Sequence, residues 1–141
     1  MRTLPFADDL IYDVPVDSGV ATVKIRIHPA AGQPYTVDAV LDTGASVSRL
    51  SPALLPDFGI IDVAQGYIDS VQVRAANNQT TTAYVHRVPI EFDGHMLEIK
   101  AAFCPAWGPD VMNLLGLDDF FDAMICGFQH RGHSFFYSLI S

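Results

Sequence analysis

The chain has 141 residues, of which 50% are hydrophobic and 17% charged, a balance that suits one packed domain and excludes an intrinsically disordered chain. Its net charge of −8, with no Lys/Arg cluster anywhere, argues against a nucleic-acid partner. No apolar run approaches the roughly 20 residues of a membrane span, and the stretch from Met1 to Leu10, with Arg2, Asp8 and Asp9, lacks a signal-peptide core, so a cytoplasmic protein without a membrane partner is expected.

The first predicted strand runs from Gly19 to His28, where Val20, Thr22, Val23, Ile25 and Ile27 supply the β-forming residues, and Gly32-Gln33-Pro34 makes a turn. Tyr35 to Leu41 is a second strand, and it delivers Asp42 into a tight turn, Asp42-Thr43-Gly44-Ala45-Ser46. Ser51 caps a short helical turn that begins at Pro52, faces Leu54, Leu55 and Phe58 inward, and stops at Gly59. From Val71 to Val85 the pattern is strand, polar tip, strand, with Ala76-Asn77-Asn78 as turn residues. The sequon Asn78-Gln79-Thr80 in this tip is discounted because the chain shows no secretion signal. Arg87–Phe92 and Met96–Phe103 form a hairpin joined at Asp93-Gly94. Pro105 to Pro109 is a loop, and the apolar run around Leu114-Leu115-Gly116 is a strand end.

Leu117 to Cys126 is expected to be a helix, with Asp118 and Asp119 in its first turn, Phe120, Phe121, Met124 and Ile125 inward, and Gly127 as its stop. A last apolar strand follows a turn at Arg131-Gly132 and ends near Ile140. Cys104 and Cys126 are too few for a disulfide scaffold and read as buried free thiols. His130 and His133 have no Cys or carboxylate motif to complete a metal site, and His28, His86 and His95 sit singly in strand-like segments.

The turn at Asp42 carries the chemistry. A water molecule can attack a peptide carbonyl when one carboxylate removes its proton and a second, protonated, polarises the carbonyl. Two carboxyl groups about 3 Å apart cannot both ionise, so they share a proton and titrate as a pair. Gly44 lets the loop approach its counterpart closely and tolerates a positive φ. The Thr43 hydroxyl can brace the turn or bond across a two-fold axis, and Ala45 and Ser46 leave room for a substrate backbone. Because the sequence holds a single Asp-Thr-Gly, the second carboxylate has to come from a second copy of the chain. Asp, Gly and Ser are also ordinary turn residues, so the tripeptide alone does not decide the matter.

The Asp42-to-Ser46 loop resembles the active-site loop of aspartic peptidases. With Val111-Met112-Asn113-Leu114-Leu115-Gly116-Leu117, whose Gly116 lies 74 positions after Asp42 (116 minus 42), the chain is similar to the retropepsin-like (retroviral-type) family from about Gly19 to Tyr137. The resemblance implies a mainly β fold: a closed barrel or sandwich with a flap hairpin and one short C-terminal helix, residues 1–141 forming one half-site domain of a homodimer. Asp42 would be the catalytic carboxylate, Leu114, Leu115 and Gly116 would support its loop from beneath, and Ala75, Ala76, Asn77, Asn78 and Gln79 would form the flap. The implied substrate is a polypeptide, with no cofactor and no metal. Viral members carry Arg directly after the second Gly, paired with an acidic residue just past the loop; here Leu117 and Ser46 stand there, a pattern closer to cellular and bacterial members. In this family chain termini often pair across the dimer, and Phe135 to Ile140 would either do so or fill the core.

A bilobal enzyme would need a second Asp-Thr-Gly half, which the sequence lacks. Two other readings stay open: a non-catalytic dimer of the same fold that binds peptides or scaffolds a partner, and a monomeric β-domain with an accidental Asp-Thr-Gly.

Overall fold

The computed structural model describes residues 8–11, 20–75, 77–129, 131 and 133–140. Gly19, Ala76, His130 and Gly132, and residues 1–7 of the N-terminal stretch, lie outside the described residues. The strands are β1 (Asp8–Ile11), β2 (Thr22–Ile27), β3 (Tyr35–Leu41), β4 (Ser48–Arg49), β5 (Asp69–Arg74), β6 (Thr80–Phe92), β7 (His95–Phe103), β8 (Asn113–Leu115), β9 (Met124–Gln129) and β10 (Ser134–Leu139).

Alternation decides which face each strand buries. In β2, Val23, Ile25 and Ile27 point inward while Lys24 and Arg26 face water. β2 pairs antiparallel with β3, β3 lies parallel to β8, and β4 bridges β8 and β7. β7 pairs with β6, and β6 returns to β2 through Ile25↔Phe92 and Arg26↔Glu91. The order β2-β3-β8-β4-β7-β6 therefore closes into a six-stranded barrel, which removes the open sheet edges. The barrel is filled by Ile25, Ile27, Leu50, Ile90, Phe92, Ile99, Phe103 and Leu115.

The hairpin joined at Asp93-Gly94 is present: β6 and β7 meet with Phe92 opposite His95. Both turn residues have positive φ, 48° and 82°, as a two-residue turn matching the strand twist requires. β6 continues beyond the barrel, and its first half pairs with β5 from Arg74↔Thr80 to Asp69↔Val85. The helical turn predicted after Ser51 is a 3-10 helix over Pro52–Phe58; the Ser51 hydroxyl accepts from the Ala53 N–H, and Gly59 ends it with φ 74°.

The C-terminal helix is shorter than expected. Only Phe121–Ala123 is helical, as one 3-10 turn, and Met124–Gln129 is strand. Asp119 stands at φ 64°, a left-handed conformation that cannot continue into a right-handed helix. Its carboxylate accepts instead from the Lys100 N–H at 3.0 Å. Phe120, Phe121 and Met124 are buried, but Ile125 is 58% exposed, so the i, i+4 pattern combined a tight turn with an alternating strand. Gly127 is inside β9 and stops nothing.

β10 lies between β1 and β9 of the same chain. Phe135 and Tyr137 are fully buried, stacking 5.6 Å apart and meeting Phe92, so within this chain the final strand fills the core. The Tyr137 hydroxyl donates to Asp93 at 2.6 Å and ties this sheet to the barrel. Cys104 and Cys126 are both free, the first buried and the second half-buried, where burial raises its thiol pKa. Among the described residues no helix is long and apolar enough to cross a membrane.

Candidate active site

β3 enters the barrel fully buried at Ala39, Val40 and Leu41, then gives its chain up to the loop at Asp42. Just there β8 runs alongside in parallel, with Leu41 opposite Leu115. The two segments are fastened by backbone. Asp42 N–H donates to the Leu115 carbonyl at 3.0 Å, Leu117 N–H to Ala45 at 2.9 Å, and Asp118 N–H to Ser46 at 2.8 Å. The buried Ser48 hydroxyl accepts from Gly116 N–H at 3.0 Å.

Gly116 is where the crossing is tightest. A Cβ there would sit 2.8 Å from the Ala45 carbonyl oxygen and 3.0 Å from the Val47 carbonyl carbon, both backbone atoms. Leu115 and Gly116 thus run directly against the loop, while Leu114 pairs with Val40 and Arg49 on either side of it. Position 117 needs no charged side chain for this: its amide, and that of Asp118, bond to the loop, while the side chain of Leu117 is 43% exposed.

The Asp42 carboxylate is half-buried and accepts from the Gly44 N–H through Oδ1 at 2.9 Å. Ala45 N–H donates to the Asp42 carbonyl at 3.2 Å, closing the turn. Gly44 is not among the described glycines with positive φ; its role is proximity, since a Cβ would lie 3.1 Å from Asp42 Oδ1. Thr43, Gly44 and Ser46 are exposed, so the loop lies at the surface.

A cavity of about 400 Å3 opens beside the loop. Gly44, Ala45, Ser46 and Val47 form one side, and Val71 and Val73 of β5 form another. The stem of the β5–β6 hairpin, rather than its tip, lines this space. The tip is closed by Ala75 N–H to Gln79 and Asn78 N–H to Ala75, both 2.9 Å, with Asn78 at φ 65°. Arg74 donates to the Asn78 side chain at 2.7 Å, and Asn77 exchanges bonds with Gln79.

Arg49 and Trp107, also at the cavity, were not singled out from the sequence. Arg49 follows the loop on β4, and its guanidinium lies 5.4 Å over the Trp107 ring. Burial lowers the Arg49 pKa, and the Asp42 carboxylate acts in the opposite sense. The available signal was that the only tryptophan of the chain stands in the loop Pro105–Pro109.

The fold is of the retropepsin-like type. The model of the aspartyl protease family matches residues 21–118, most of the chain, and the chain belongs to that family. No curated protein sequence matches it. Among solved structures it is similar to a retropepsin-like aspartic protease from Rickettsia conorii, at 16% identity and TM-score 0.61, over 92% of this chain and 89% of that one. The protease of simian foamy virus (mac) matches at 16% identity and TM-score 0.47, over 70% of this chain and 89% of that one.

Proposed function

We propose that the protein is a homodimeric aspartic endopeptidase whose site is completed by Asp42 from each of two copies. The observation that carries this reading is a lone carboxylate, half-buried, oriented by the Gly44 amide and seated on a loop that the Leu115–Gly116 crossing holds in place. A single carboxylate serves the chemistry poorly, whereas a pair sharing one proton supplies both a base for water and an acid for the carbonyl and the leaving amine. The exposed Thr43 hydroxyl has no hydrogen bond among the described residues, which leaves it available to a second loop across a two-fold axis.

Substrate binds as an extended strand between the loops and the β5–β6 hairpins, which act as flaps, with Ala75, Ala76, Asn77, Asn78 and Gln79 at their tips. Leu114, Leu115 and Gly116 keep the reacting carboxylate from drifting. No metal or covalent intermediate enters this mechanism.

The test is cleavage of a diverse peptide mixture, from about pH 4 to about pH 7, by wild type and Asp42→Asn side by side, read by mass spectrometry. Cuts made only by wild type are expected, with both proteins sedimenting as dimers. Equal cutting by the variant would remove Asp42 from the chemistry. A folded dimer that cuts nothing would turn the reading to a peptide-binding scaffold.

A further inference from the structure

We propose that the cavity beside Asp42 is a subsite for an acidic side chain of the substrate, with Arg49 as the cation that selects it. This rests on the peptidase reading for its substrate, but the geometry of the pocket stands by itself.

The lining is mostly apolar: Val71, Val73, Ala102, Trp107 and Leu114 stand around one guanidinium in an open cavity. That guanidinium is held along one edge: Nε and Nη2 both donate to the Met112 carbonyl, at 3.1 and 3.0 Å, and Cζ lies over the Trp107 ring, 5.4 Å from its centroid. A guanidinium carries its N–H donors in a rigid fork, and this arrangement occupies one edge. The Nη1 side has no hydrogen-bond partner among the described residues, and Arg49 makes no ion pair there. No carboxylate is in contact with this half-buried guanidinium among the described residues; Asp42 acts on it only from beyond ion-pair distance, which leaves room for a contacting anion.

A carboxylate brought into the cavity would meet that free side of the fork and form charge-assisted hydrogen bonds beside apolar walls. About 400 Å3 is ample for an Asp or Glu side chain. Because the lining begins at Gly44 and Ala45, immediately past the reacting carboxylate, the occupant belongs to a residue close to the bond that is cut. This subsite discriminates by charge.

The probe is a set of acetylated peptides of Leu, Ala and Phe, each carrying a single Glu or the matching Gln at successive positions. For wild type, kcat/KM is expected to favour Glu over Gln by about tenfold at one position, the scale of one charge-assisted hydrogen bond. In Arg49→Gln that ratio falls to about one, and Arg49→Lys, which keeps the charge but not the fork, retains part of it.

A second readout does not need turnover. Trp107 is the only tryptophan of the chain, so its fluorescence reports occupancy of the cavity. With Asp42→Asn protein, the Glu peptide is expected to bind about tenfold more tightly than its Gln twin, and the difference to disappear when Arg49→Gln is added. If wild type cuts nothing while this binding preference holds and depends on Arg49, the subsite stands and the peptidase reading falls. Equal handling of Glu and Gln at every position by wild type overturns the subsite, even if Arg49→Gln does not fold. A preference that survives Arg49→Gln overturns it too.

Discussion

Two regions face the candidate site, and they are held in opposite ways. The crossing of the Asp42 loop by Leu115-Gly116 is made of bonds between segments some 70 positions apart in sequence, with Ser48 and Leu115 buried beside it and no room for a Cβ at Gly116. The tip of the β5–β6 hairpin is held by bonds among Arg74, Ala75, Asn77, Asn78 and Gln79, all neighbours in sequence and almost all exposed. The first region cannot shift without disturbing the barrel. The second can open while losing only local bonds that water replaces. On the proposed peptidase reading, a fixed carboxylate and a loosely held hairpin tip suit a site that admits a polypeptide.

The sharpest way to break this contrast is at the carboxylate. Asp42→Asn keeps an oxygen to accept from the Gly44 amide, so the loop and the thermal midpoint should hardly change. Turnover should fall by about 10^3-fold or more, because general acid–base catalysis is removed. Peptide hydrolysis and a melting curve on the same preparation separate the two effects.

Next comes the crossing itself. Gly116→Ala forces a methyl group against the Ala45 and Val47 backbone, with no flexible side chain to yield. A loss of about 2–3 kcal/mol of stability is expected in urea unfolding, with activity lost through displacement of the loop. An unchanged midpoint would mean that the crossing is looser than its distances imply.

At the hairpin tip the expected effects are smaller and of another kind. Asn78→Gly suits the positive φ and removes the Arg74 bond, so stability should stay within about 0.5 kcal/mol. KM for a peptide substrate should rise severalfold with kcat little altered, since only the closing of the cover is touched.

The smallest effect lies on β3, the strand that carries Asp42. The Tyr35 hydroxyl donates to Asp57 on the following 3-10 helix, and desolvation, with that bond, pushes its pKa up from 10.0 to about 12. A proton held more tightly in the folded state stabilises it fully below pH 10, and that contribution is lost as pH rises through about 12. Tyr35→Phe should flatten this alkaline decline in a denaturation series without changing peptide cleavage near neutral pH.

Much of the site was legible because its residues are chemically special at short range. Asp42-Thr43-Gly44 names its own turn, Asp93-Gly94 names a hairpin, and Ser51-Pro52 names a helix start. Leu114-Leu115-Gly116 was legible only by resemblance, since a Gly required by close approach looks like any other Gly. The helix over Leu117–Cys126 was misjudged in length because apolar spacing alone cannot distinguish a tight turn leading into a strand from a helical face. Arg49 was passed over for a related reason: nothing near it in sequence announces Trp107 or Met112.

By itself, then, the sequence determined the alternation that makes the strands and the turn that bears the carboxylate. Tertiary structure alone decided how tightly Gly116 crosses the Asp42 loop, which strand covers Phe92, and what lines the cavity. The reason is physical: strand and turn preferences reside in a few consecutive residues, whereas a contact between distant segments exists only once the barrel closes and brings them within bonding distance.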